Sequence, residues 1–177
     1  LAAGGAGAAG YWAVRPAPAP PPQSEAAARW EAAQAALAAD DLPAAREQLG
    51  KFLDAVPLNA EAHFLLARAA RRADDYDGWD AHLRRAAVLG WPAEQIELET
   101  HLRMAQSGDL LPVDRFLAGY ANTRPADEEI VLEALARGYL EAQRLGSLRG
   151  MTKVWAERRP DSWLALLYRG RARQFAS

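Results

Sequence analysis

From residue 24 onward, apolar residues return at three- and four-residue intervals, in short blocks separated by polar turns. "AEAHFLLARAARR" (60–72) carries the pattern of a helix with one buried stripe, and "GWDAHLRRAAVL" (78–89) repeats it after the turn "ADDY". Strand-forming runs of Val, Ile and Thr are absent, and Ala is very abundant. The pattern predicts an all-α chain.

The blocks recur at a fixed distance. "AADDLPAAREQLGKFLDAVP" (38–57), "RADDYDGWDAHLRRAAVLGW" (72–91) and "QSGDLLPVDRFLAGYANTRP" (106–125) are each offset by 34 residues. Asp41, Asp75 and Asp109 then align, followed by Leu42, Tyr76 and Leu110. Leu49, Leu83 and Leu117 form a third column, Phe52, Ala86 and Tyr120 a fourth, and Pro57, Trp91 and Pro125 a fifth. A fixed period of this length marks stacked supersecondary units. Each unit reads as two helices joined by a tight turn. Pro57, Pro125 and Pro160 cannot continue a helix and so close the repeats. Asn59, Asp127 and either Asp161 or Ser162 stand where N-caps are needed. The boundaries fall near 26–59, 60–93, 94–128 and 129–162, with "SWLALLYRGRARQF" opening either a fifth unit or a capping helix (163–177).

In these features the chain resembles the tetratricopeptide repeat family. Leu66-Ala67 and Leu135-Ala136 match the first-helix pair of that family, and Tyr139 its aromatic. Asp75-Tyr76 and Gly108-Asp109 match the turn; Ala45, Leu49 and Ala86 match the second helix. Trp79 and His101 replace expected small residues, "AEQIELETHLRMAQ" fits poorly, and the fourth copy runs one residue long. The resemblance implies an α-solenoid of about four helix pairs plus a C-terminal capping helix over residues 24–177. Its concave surface would be lined by first helices and would bind an extended peptide or a helix.

By that register the partner groove would carry Trp30, Gln34 and Leu37, then Phe64, Arg68, Arg71 and Arg72, then Leu98 and Leu102, and finally Glu133, Arg137 and Leu140. An aromatic shelf beside an arginine cluster suits a protein segment with apolar and acidic residues. Alternatively, Arg71 and Arg72 solvate a helix end and Trp30 belongs to the core. The carboxylate clamp of chaperone-binding members needs Lys and Asn where Trp30 and Gln34 stand here, so that activity is not expected.

Net charge is −2 with a pI near 6.0, which provides no general attraction to nucleic acid, and none is expected as a partner. There is no cysteine, so disulfides and thiolate chemistry are excluded. Metalloprotease, Walker and nucleophile-elbow motifs are missing, and the paired aspartates recur at every turn as caps would. His63, His82 and His101 are evenly spaced by 19, but that interval does not stack them on one helix face. No metal, cofactor, small-molecule substrate or enzymatic activity is expected. Six tryptophans fill gaps that small alanines leave; most are expected in cores or interfaces.

The first residues, "LAAGGAGAAGYWAV" (1–14), hold no charge and lead into the proline-rich linker 15–23. Ala6 and Gly10 have the small-xxx-small spacing of membrane helices, and Tyr11-Trp12 followed by Arg15 suit a membrane interface. One reading is the C-terminal end of a transmembrane helix, with the proline segment as a stiff spacer and the repeats outside the cytoplasm. The other is a low-complexity tail on a soluble cytoplasmic protein. The two functional readings follow: a non-enzymatic, membrane-anchored scaffold or assembly factor of a membrane complex, or a soluble adaptor that binds extended peptides.

Overall fold

The computed structural model describes residues 22–113, 116–117 and 127–175; the expected membrane segment with Ala6, Gly10, Tyr11 and Trp12 lies outside them. Among the described residues there are eight α-helices and no strands. They are α1 (Pro22–Ala38), α2 (Leu42–Ala55), α3 (Ala60–Arg72), α4 (Tyr76–Val88), α5 (Ala93–Gln106), α6 (Glu128–Glu141), α7 (Leu145–Arg158) and α8 (Trp163–Gln174). The first helix opens at Pro22, inside the expected linker; proline is suited to a first helical position because its fixed φ is already helical. None of these helices is long and apolar enough to cross a membrane.

One turn geometry recurs along the chain. Asp40, Asp74, Gly108 and Gln143 each adopt the left-handed conformation, with φ of 58°, 59°, 86° and 55°. The residue after each donates its backbone N–H five residues back: Asp41 to Ala36 O (2.9 Å), Asp75 to Ala70 O (2.9 Å), Asp109 to Met104 O (3.2 Å) and Arg144 to Tyr139 O (2.8 Å). This is the Schellman closure, which satisfies the last carbonyls of α1, α3, α5 and α6. Asp is one of the side chains that tolerates the left-handed region, which accounts for the paired aspartates. In each pair the first Asp makes the turn and the second caps the next helix. Asp41 accepts from Ala44 N at 3.1 Å, and Asp75 from Gly78 N at 3.0 Å. The turn residues stand 34, 34 and then 35 positions apart, so the fourth copy carries its extra residue ahead of the turn.

Of the other expected caps, Asn59 accepts from Ala62 N at 2.8 Å and Ser162 from Ala165 N at 3.2 Å. Asp127 precedes α6 without a side-chain capping bond.

Each helix packs on the next in chain order, with further contacts of α3 to α5 and α6 to α8. The core is therefore a series of small clusters rather than one centre. Ala33, Leu49, Phe52, Ala62 and Leu66 join α1 to α3; Phe64, Ala67, Leu83 and Ala86 join α3 to α4. Leu98, Leu102 and Ala105 of α5 meet Leu110, Val113, Leu117, Val131 and Ala134. Leu148, Trp155, Leu164, Ala165 and Tyr168 close the C-terminal end with Ala136 of α6.

Two helices approach closely at Gly138 of α6, where a Cβ would overlap the carbonyl oxygen of Ala105 on α5. Glycine is required there by its neighbour, not by its own backbone. Trp163 departs from the expectation for the tryptophans: it is 55% exposed, whereas Trp155 is buried. The α8 helix turns Leu164, Ala165 and Tyr168 inward, and Trp163 is left facing solvent.

Candidate interaction cleft

The C-terminal end of α3 places three arginines within reach of three other segments: the first turn, α5 and α6. Arg71 is fully buried, as is Glu99 of α5, and Arg71 Nε donates to Glu99 Oε2 at 2.8 Å. Arg68 Nε donates to the other carboxylate oxygen at 2.5 Å. Burial raises the Glu99 pKa, but the charges and hydrogen bonds of Arg71 and Arg68 outweigh it, and the carboxyl titrates below its ordinary range. Arg71 Nη1 also donates to Gln106 Oε1 at 2.9 Å, while Arg71 Nη2 has no partner among the described residues.

Arg72 crosses in the other direction. Its Nη1 donates to Asp40 in the first turn, and its Nε to Glu133 Oε2 of α6 at 2.8 Å. Burial lowers the Arg72 pKa, but Glu133 and Asp40 together hold it above the usual value. Asp74, one repeat after Asp40, accepts from Gln106 Nε2 at 2.8 Å, from the Tyr76 hydroxyl at 2.8 Å and from Arg137 Nη2 at 2.8 Å. Arg72 and Gln106 are themselves 34 residues apart. The same contact is thus made twice: the left-handed aspartate of one turn holds the last residue of the next first helix.

Beside this network lies an open cavity of about 450 Å3, lined by Asp74, Tyr76, Arg103, Gln106, Ser107, Arg137, Leu140, Glu141 and Arg171. It is bounded by the start of α4, the end of α5, α6 and α8. Arg103 rests its guanidinium 3.5 Å from the centre of the Tyr76 ring. Burial and the Asp74 carboxylate push the Tyr76 hydroxyl pKa up, so the ring stays neutral as a seat for the cation. Arg171 lies 5.6 Å from the Tyr168 ring centre; burial and Glu133 push the Tyr168 hydroxyl up to about 12. Among the described residues neither Arg103 nor Arg171 has a carboxylate partner. Arg137 is different: it pairs with Asp74 and donates to Arg72 O at 3.0 Å.

The expected groove residues therefore divide. Arg68, Arg71, Arg72, Glu133 and Arg137 come together, but as an ion-pair network that consumes their charges. Phe64, Leu98 and Leu102 are buried in the helix-to-helix cores, and Arg71 and Glu133 are buried with them, so these five do not line an open surface. The cause is rotational register: the stripe assigned to the groove is the one that packs on the neighbouring helix. Phe64 stacks on Trp91 with ring centres 5.0 Å apart. Trp30 is half-buried 5.0 Å from the Phe52 ring, Gln34 is exposed, and Leu37 and Leu140 are half-buried. Only Arg137 and Leu140 of the expected set line the cavity.

Arg103, Arg171 and Tyr76 were outside the expected set. The signal that could have found the network was the repeat itself, which places Asp40 and Asp74, and Arg72 and Gln106, in matching positions.

His63 Nδ1 and His82 Nδ1 are 3.0 Å apart, bridging α3 and α4, and His63 Nε2 is 3.1 Å from Pro57 O. His101 instead stacks on Phe116 with ring centres 4.0 Å apart. No group of three or more metal-ligating side chains occurs among the described residues. No family model, curated protein or solved structure matches this chain.

Proposed function

We propose that this chain is a non-enzymatic protein-interaction scaffold, an array of tetratricopeptide-like helix pairs forming an α-solenoid. Its cleft at Arg103, Arg137 and Arg171 receives acidic side chains of an extended partner segment. The observation that carries this reading is the contrast between paired and unpaired arginines: Arg103 and Arg171 line one cavity with Asp74 and Glu141, Asp74 pairs with Arg137, and neither Arg103 nor Arg171 is ion-paired among the described residues. A guanidinium seated on an aromatic ring and held at a cleft is pre-organised for a carboxylate, since little side-chain freedom remains to be lost. The recurrent turn and the in-order packing of the helices support the repeat architecture.

The same proposal places the scaffold at a membrane, through residues 1–14 as the end of an anchor and 15–21 as spacer, with the repeats on the extracytoplasmic side. That part rests on the sequence of small residues, Tyr11-Trp12, Arg15 and prolines.

The test uses a fluorescein-labelled decapeptide of alternating Leu and Glu, titrated by anisotropy against the 177-residue chain, with the Gln counterpart as control. The Glu peptide is expected to bind at least tenfold more tightly, and the difference should shrink as salt rises. Equal affinity for the two peptides would contradict the proposal.

A further inference from the structure

The last helix is apolar on two opposite sides. Leu164, Ala165, Tyr168 and Ala172 of α8 are buried against α6 and α7. Trp163, Leu166, Leu167 and Gly170 follow the i, i+3, i+4, i+7 spacing on the other side. Trp163 and Leu166 are each 55% exposed and Leu167 38%. Nothing stands within 4 Å of where a Cβ on Gly170 would be, so the stripe has a shallow recess beside its bulky residues. Exposed large apolar residues before α7 lie instead in connections, such as Val56 and Leu58, or at a helix end, such as Val88.

Charge marks the same end of the chain. Residues 144–175 hold eight basic residues (Arg144, Arg149, Lys153, Arg158, Arg159, Arg169, Arg171 and Arg173) against Glu157 and Asp161. The whole chain is at net −2, so the remainder is acidic. On the helix circumference Arg169 and Arg173 border the stripe on one side and Arg171 on the other. Among the described residues none of these three is paired with a carboxylate.

We infer that this face of α8 is a docking surface for an amphipathic helix of a partner protein whose apolar seam is flanked by Glu or Asp. A ridge of three large apolar residues at helical spacing beside a glycine recess is a shape that seats against another helix. Cations on both edges are where a partner's flanking carboxylates would select and orient it. Helix on helix is also how α8 is held on its opposite side, by α6 and α7. The surface shares Arg171 with the cleft, but its apolar residues and its other edge, Arg169 and Arg173, do not line that cavity, and the inference stands if the cleft binds nothing.

The experiment titrates two labelled 21-residue amphipathic peptides, with Leu seams flanked by Glu in one and by Lys in the other, into the 177-residue chain. The Glu-flanked peptide is expected to bind at least tenfold more tightly than the Lys-flanked one. Leu166→Asp and, separately, Arg169→Glu with Arg173→Glu should each weaken it at least tenfold. These positions are exposed, so circular dichroism and melting temperature should match the unaltered chain. Equal binding of the two peptides, or full binding by Leu166→Asp, would overturn the inference. So would binding only to phosphatidylglycerol vesicles, which would make the face a membrane contact. A dimer in sedimentation that Leu166→Asp dissolves would assign the face to a second copy and overturn it as well.

Discussion

Arg71 and Glu99 form a fully buried ion pair, 2.8 Å from Nε to Oε2, between helices that belong to different repeats. The pair converts two residues that would favour water into a link across the α3–α5 contact. Desolvation offsets much of its Coulomb energy, so its consequence appears when one partner is removed. Glu99→Gln leaves Arg71 and Arg68 without their countercharge and should cost about 3–5 kcal/mol, a large part of the stability of an ordinary domain. Urea denaturation would show it as a lower midpoint. Replacing both residues together, with Arg71→Met and Glu99→Leu, should recover much of the loss. An unchanged midpoint in Glu99→Gln would contradict the buried pair.

Gly138 and Gly150 are both helical glycines with opposite surroundings. At Gly138 a methyl group would meet the Ala105 carbonyl, whereas at Gly150 it would meet nothing within 4 Å. Gly138→Ala should destabilise by about 1–3 kcal/mol through overpacking. Gly150→Ala should stabilise by about 0.5–1 kcal/mol through helix propensity. Paired thermal melts check the contrast, and a neutral Gly138→Ala would mean that α5 and α6 are less closely packed.

The His63–His82 contact fixes a proton arrangement. Pro57 O can only accept, so His63 carries its proton on Nε2, and its bare Nδ1 accepts from His82 Nδ1–H. Nitrogen NMR shifts should report an Nε2–H tautomer for His63 and an Nδ1–H tautomer for His82. Burial, then the charge of His63, lower the His82 pKa below 6.5, with Arg46 acting the same way and Asp75 opposing. The folded state therefore favours neutral His82. Its contribution to stability is complete above pH 6.5 and is lost as pH falls through the lower folded-state value. Glu99 adds a second loss, present above its ordinary value of 4.5 and removed as pH falls through its depressed folded value. Stability should fall in two steps on acidification, and His82→Gln should abolish the upper one.

The repeat was legible because it is written in residues with single local roles. Leu49, Leu83 and Leu117 share a column and are all buried; Asp41 and Asp75 share another and both cap helices. The fit was poor at "AEQIELETHLRMAQ" because Glu99 occupies a core position, and the arginine that permits this lies 28 residues earlier. Spacing within one helix cannot reveal such a pairing. The pairing of three of the expected groove arginines was hidden for a related reason. Arg68, Arg71 and Arg72 are adjacent in sequence and resemble a cationic patch, but their carboxylates come from a turn, from α5 and from α6. Arg103 and Arg171, the cavity-lining arginines without such partners among the described residues, are 68 positions apart and are gathered only by folding.

This division of the arginines is the central claim, and one comparison tests it most directly. The Leu/Glu decapeptide is titrated into the unaltered chain, into Arg103→Gln with Arg171→Gln, and into Arg68→Gln with Arg72→Gln, with melting temperature measured for each. The first pair should lose affinity at least tenfold at an unchanged melting temperature; the second should melt several degrees lower. Loss of binding in the second pair with full stability, and intact binding in the first, would contradict the account.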